Sequence, residues 1–134
     1  MRGDHIKLAF PRGARYSAEH VWLTRDHSIY RAGLTDFAQA QLGEIVYIDL
    51  PEIGDVYEKG DVFGSVESMQ TISELFMPVD AEIIEVNSRL NNEPEILNQD
   101  PYGRGWIIGI DLKESEESEA MLTCQAYTDL IFSN

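Results

Sequence analysis

From Gly54 to Val86 the chain is cut into short apolar runs by residues that force it to turn, and this limits what it can fold into. Gly54-Asp55 and Lys59-Gly60-Asp61 carry turn chemistry. In the run that follows, Val62, Gly64, Val66 and Ser68 share one face of an extended chain, while Phe63, Ser65, Glu67 and Met69 share the other. Ile72, Glu74 and Phe76 then alternate with Ser73, Leu75 and Met77 before Pro78 interrupts. The two runs predict a hairpin with Met69-Gln70 at a solvent-exposed tip. Ala81–Val86 reads as a further strand.

The flanking sequence continues in short elements. His20–Thr24 and Ser28–Gly33 read as a hairpin around Arg25-Asp26-His27. Thr35–Gly43 predicts one short helix: Thr35 can cap it, Asp36 suits its positive end, and Gly43 can close it at positive φ. Glu44–Leu50 alternates like a half-buried strand that Pro51 stops. Asn92–Asn98 suggests a helical turn, Pro101–Gly105 a loop, and Trp106–Leu112 a strand. The tail after Lys113 reads as helical, with Glu114, Glu116, Glu117 and Glu119 at its start and Leu122, Ala126, Leu130 and Ile131 as a partial apolar stripe. The fold class expected is mainly β with short helices.

At 134 residues the chain suits one domain with one core. Its net charge is −14, with 24 acidic against 10 basic residues, which argues against nucleic acid or an anionic membrane as a partner. No apolar run approaches the roughly 20 residues needed to span a bilayer. Cys124 is the single cysteine, so an intramolecular disulfide is impossible, and a half-buried thiol on the last helix is the simple reading. His5, His20 and His27 lack the spacing of a helical metal pair, so no metal site is expected. No phosphate loop and no nucleophile elbow stands in the chain, so it is read as a non-catalytic protein. Residues 1–14, with Arg2, Lys7 and Arg12, read as a flexible leader, and 15–134 as a single domain with a helical tail.

Four ordered blocks resemble the glycine cleavage system H-protein family. Tyr16-Ser-Ala-Glu-His-Val-Trp-Leu23 is similar to the family's opening Tyr-Ser-x-x-His-Glu-Trp. Gly33–Gly54 resembles its helix and following strand. Gly64–Pro78 resembles the lipoyl-attachment hairpin, with its Glu-Ser-x-Lys turn, and Glu93–Trp106 its Pro-Glu-Leu-x-Asn-x-x-Pro-Tyr-x-x-Gly-Trp. The resemblance covers about Arg15 to Ile131 and implies a flattened barrel-sandwich hybrid of the lipoyl/biotinyl-domain type. It also implies a function. In the family, a lipoyl-lysine arm accepts an aminomethyl group from glycine decarboxylase, passes through aminomethyltransferase, and is reoxidised by lipoamide dehydrogenase. Members are usually monomers, in the cytoplasm of bacteria or the mitochondrial matrix of eukaryotes; the cytoplasm is favoured here.

The departures from the pattern gather around the arm. Glu67 and Ser68 stand in place, with Met69 between them and the modifiable position, but that position is Gln70. A deprotonated lysine amine can attack an acyl-adenylate. A glutamine amide cannot, because its nitrogen lone pair is delocalised into the carbonyl. No lipoate is therefore expected on this sequence. His-Glu-Trp reads His20-Val21-Trp22, and the usual histidine after Thr-Asp reads Phe37, so two polar residues of the family's arm cleft are apolar here. A turn glycine reads Ala81, while Glu74 keeps an acidic group beyond the tip. The expectation is an H-like docking or regulatory protein that keeps Glu67, Ser68, Met69 and Glu74 as a recognition flank and His20, Val21 and Phe37 as a former cleft. Its partners would be the decarboxylase, the aminomethyltransferase, lipoamide dehydrogenase or a lipoate-attaching enzyme. The alternative is an authentic carrier whose lysine has been replaced in this sequence.

Overall fold

The computed structural model describes residues 7–133. Nine short strands and four short helices follow one another among the described residues: β1 Arg15–Tyr16, β2 Val21–Asp26, β3 Ile29–Leu34, α1 Asp36–Leu42, β4 Ile45–Asp49, β5 Val56–Tyr57, β6 Val62–Ser68, β7 Ile72–Phe76, β8 Ala81–Val86, α2 Ile96–Gln99, β9 Ile108–Leu112, α3 Glu116–Glu119 and α4 Cys124–Phe132. The strands form two open antiparallel sheets, one ordered β1-β2-β3-β9-β8-β5 and the other β4-β6-β7. Val21, Leu23, Ala32, Ile83, Ile108 and Ile110 of the larger sheet meet Ile45, Ile48, Phe63, Val66 and Leu75 of the smaller in one core. The fold is thus mainly β with short helices, a sandwich of unclosed sheets.

Local chemistry explains most of these elements. Thr35 caps α1 by accepting a hydrogen bond from Ala38 N–H at 3.2 Å, and Gly43 ends it at φ 85°, where a side chain would be strained. Gly33 pairs with Trp22 across β2–β3, and a Cβ there would lie 2.8 Å from the indole. The hairpin β6–β7 forms as predicted, but the strict alternation of β6 does not hold. A bulge between Val62 and Gly64 turns Phe63 inward, onto the same side as Val66 and Ser68. Gly64 sits there because a Cβ would collide with the Asp49 carbonyl of β4. Ala81 lies in no turn; it opens β8 as a buried strand residue.

Two further expectations need correction. The tail is two helices rather than one, because Leu122 is drawn into a β-bridge with Tyr16, with backbone hydrogen bonds of 2.8 and 2.9 Å. Arg15 closes α3 by donating to the Glu119 and Met121 carbonyls, and Thr123 caps α4 by accepting from Ala126 N–H. Secondly, the leader predicted over 1–14 is not free over Ala9–Ala14; residues 1–6 lie outside the described residues. Ala14 is buried, the Phe10 ring packs edge-on against Tyr127 and Phe132, and the Pro11 carbonyl accepts from the Tyr16 hydroxyl at 2.6 Å. Two edge-on aromatic contacts and one hydrogen bond hold this short segment against the domain.

Candidate functional site

The tip of the β6–β7 hairpin is shaped by one hydroxyl. Ser68 Oγ accepts hydrogen bonds from the backbone N–H of Gln70 and of Thr71, each at 3.1 Å, and Ser68 N–H donates to the Thr71 carbonyl at 2.8 Å. This reverses the chain in two residues, Met69 and Gln70. Ser68 itself is buried, while Met69 is 71 % exposed and Gln70 also faces solvent. The predicted flank therefore divides. Ser68 is the internal brace of the turn, and Met69 is its exposed shoulder.

The turn rests on the end of α1. Met69 N–H donates to the Glu44 carbonyl at 3.0 Å, and the Gln70 side-chain amide lies against Gly43, where an added Cβ would meet it at 3.6 Å. Asn98 of α2 holds that corner. Its Nδ2 donates to the Gly43 carbonyl at 2.8 Å and to Gln39 Oε1 at 2.9 Å, and its Oδ1 accepts from Ile45 N–H at 2.9 Å. Asn98 was not among the expected site residues, although it stands inside a matched block.

Glu67 and Glu74 lie on the outer face of the three-stranded sheet. Tyr47, Glu67 and Ile72 are register partners across it, and Asp49, Ser65 and Glu74 form the next row on the same face. Glu74 is thus two rows from the tip, beside the turn's approach rather than in it.

The expected cleft residues separate. His20 and Phe37 meet, with ring centroids 5.2 Å apart, but the Val21 side chain belongs to the main core and is 1 % exposed. Strand alternation sends Val21 inward, and the tight turn Ser17–His20, with His20 at φ 73°, turns His20 aside. His20, Val21 and Phe37 therefore do not line one cleft. Phe37 is also covered by Phe132, at 6.5 Å.

Tyr127, which sequence reading missed, organises this end of α1. Its ring is fully buried and stacks on Tyr16 with centroids 4.7 Å apart. Its hydroxyl lies 2.8 Å from His20 Nδ1 and 2.8 Å from Thr35 Oγ1, so the helix cap, the histidine and the phenol form one chain of hydrogen bonds. Burial pushes the Tyr127 pKa up to about 12, with the Thr35 bond opposing, so the hydroxyl stays protonated. Burial also lowers the His20 pKa, against a smaller opposite effect of Glu19. Tyr16 and Tyr102 are raised by burial as well. From Phe37 to Gly43 the helix rise is roughly 9 Å, so this buried cluster and the exposed tip occupy opposite ends of α1.

Chemically, the tip offers no amine. Gln70 presents an amide, and the nearest lysine along the hairpin, Lys59, stands before β6, roughly 20 Å of strand away. Among the described residues, no three His, Cys, Asp or Glu side chains converge as a metal-holding group, and no helix is long and apolar enough to cross a membrane.

The comparisons with known proteins agree with one another. The family profile for "Glycine cleavage H-protein" matches residues 14–133. A glycine cleavage system H protein of Anaeromyxobacter sp. (strain K) is 45 % identical over 120 residues, which cover 90 % of this chain and 94 % of that one. The crystal structure of a glycine cleavage system H protein from Mycobacterium marinum superposes with a TM-score of 0.83 at 31 % identity, covering 90 % of this chain and 98 % of the other. By profile, sequence and fold, the chain belongs to the glycine cleavage H-protein family.

Proposed function

We propose that this chain is a non-lipoylated H-like protein that docks on enzymes of the glycine cleavage system, or on a lipoate-attaching enzyme, and occupies or regulates an H-protein site there. The observation that carries the reading is Gln70 at the exposed tip of an otherwise intact hairpin. The residues present do not fit lipoate as a covalent group. The Gln70 amide cannot form the bond, and Lys59 sits in a different turn, its backbone N–H held by Asp80 Oδ1 at 2.7 Å. What remains is a shape that partners of the family would recognise: the Ser68 turn, the exposed Met69, and Glu67 and Glu74 beside it. The expected species is a monomer acting in the cytoplasm, with no catalytic role of its own.

Competition tests this. The protein, added to glycine decarboxylase, aminomethyltransferase and a lipoate ligase, should displace an authentic H protein from at least one of them. Failure to compete for any would remove the docking reading.

The intact turn also favours a second reading, a carrier whose lysine has been replaced in this sequence. A lysine codon at position 70 of the encoding gene would decide for it. Gln70→Lys should then restore aminomethyl transfer despite Val21 and Phe37.

A further inference from the structure

Among the described residues nothing covers the outer face of the three-stranded sheet, and its side chains are of two kinds. Tyr47, Met69 and Ile72 are 55 %, 71 % and 65 % exposed, and a bulge between Ile45 and Tyr47 turns Val46 outward as well, at 41 %. Bulges re-aim side chains where a strand serves more than packing. Around this apolar strip stand Glu44, Asp49, Glu67 and Glu74, all exposed. No cation balances them nearby in sequence. Between Arg31 and Arg89 the only basic residue is Lys59, set against twelve acidic ones.

From this face we infer a docking surface for one kind of occupant: a protein presenting an apolar cleft rimmed by lysine and arginine side chains. The inference rests on the docking reading above and locates its interface. Tyr47 and Ile72 flank Glu67 in one register row, and Glu74 stands in the next, so apolar anchors and carboxylates alternate across the face. Charge selects the occupant. Nucleic acid and anionic membranes are repelled. A second copy meeting face to face would bring Glu67 and Glu74 against their own equivalents. The basic residues of another copy are also a poor match, because each copy carries a net charge of −14 and two copies repel at long range. A free cationic rim on another protein is what remains.

The test measures binding of the full chain to glycine decarboxylase, aminomethyltransferase and lipoate ligase by calorimetry. Tyr47→Ser and Ile72→Ser should each weaken the parent's tightest complex by roughly tenfold, as buried anchors do. Glu67→Lys with Glu74→Lys should weaken it further, and the parent complex should weaken as ionic strength rises from about 0.1 M to about 1 M, where screening shortens to about 3 Å. Val56→Ser, which alters an equally exposed apolar residue on the larger sheet, should change nothing. Melting temperatures report that each variant is folded. A parent that binds while the sheet-face variants bind equally well overturns this inference and leaves the docking reading standing. A parent that binds none of the three enzymes removes the docking reading, and the inference with it. A concentration-dependent dimer in sedimentation that Tyr47→Ser abolishes reassigns the face to self-association and also overturns it.

Discussion

The two ends of α1 obey different rules. At the C-terminal end, Gly43 and Glu44 support a turn whose shape comes from backbone and one buried hydroxyl, and the side chains of Met69 and Gln70 project into solvent. At the N-terminal end, shape comes from side chains: Phe10, Tyr16, His20, Phe37, Tyr127 and Phe132 pack ring against ring over the Thr35 cap. Residue identity is therefore free to follow function at the tip and is bound to packing at the cluster. Nothing in the fold calls for glutamine at position 70. Phe37, by contrast, touches both His20 and Phe132.

Substitutions at the two ends should therefore differ greatly in cost. Tyr127→Ala should destabilise by about 3–5 kcal/mol in urea unfolding, since it empties a stacked, fully buried ring site. A loss below about 1 kcal/mol would show the cluster to be ornamental rather than structural. Tyr127→Phe and Thr35→Ala should each cost about 1–2 kcal/mol, because each breaks the hydrogen-bond chain that joins cap, phenol and histidine. Their effects should fall short of additivity in a double-mutant cycle, as the two share one bond.

His20 gives the cluster a pH signature. Its folded-state pKa is lowered by burial, so the unfolded chain takes up a proton more readily. The stability it contributes is present above the unfolded value, about 6.5, and is lost as the pH falls through the folded one. Between about pH 7 and about pH 5, the parent should lose stability more steeply than His20→Asn does. Equal slopes would place His20 outside the buried network. Smallest of all, Met69→Ser and Gln70→Lys should shift stability by no more than about 0.5 kcal/mol, because both side chains are exposed and neither is part of the core. A larger shift would erase the contrast between the two ends.

Much of the tip was legible in the sequence. Alternation from Val62 to Met77 predicts the hairpin, and Thr35, Asp36 and Gly43 mark α1 to within a residue, because caps and turns are local chemistry. The aromatic cluster was not legible. It joins Phe10, Tyr16, Thr35 and Tyr127, which are far apart in sequence and share no periodicity. The single-helix tail failed for the same reason, since the bridge from Leu122 to Tyr16 is a long-range contact. Glu67, Ser68 and Met69 were picked out as one flank, yet strand geometry gives them three surroundings: sheet face, turn interior and open shoulder. Val21 was grouped with His20 through the family's His-Glu-Trp pattern, yet the turn at His20 and the start of β2 send the two side chains to different surroundings.

The most direct test is intact mass after incubation with lipoate, ATP and a lipoate ligase, on the parent and on Gln70→Lys. The parent should gain no mass and the variant should gain a lipoyl adduct, showing that the docking surface persists and only the nucleophile is missing. A lipoyl adduct on the parent would contradict the assignment of Gln70 as a lost attachment site and direct attention to Lys59.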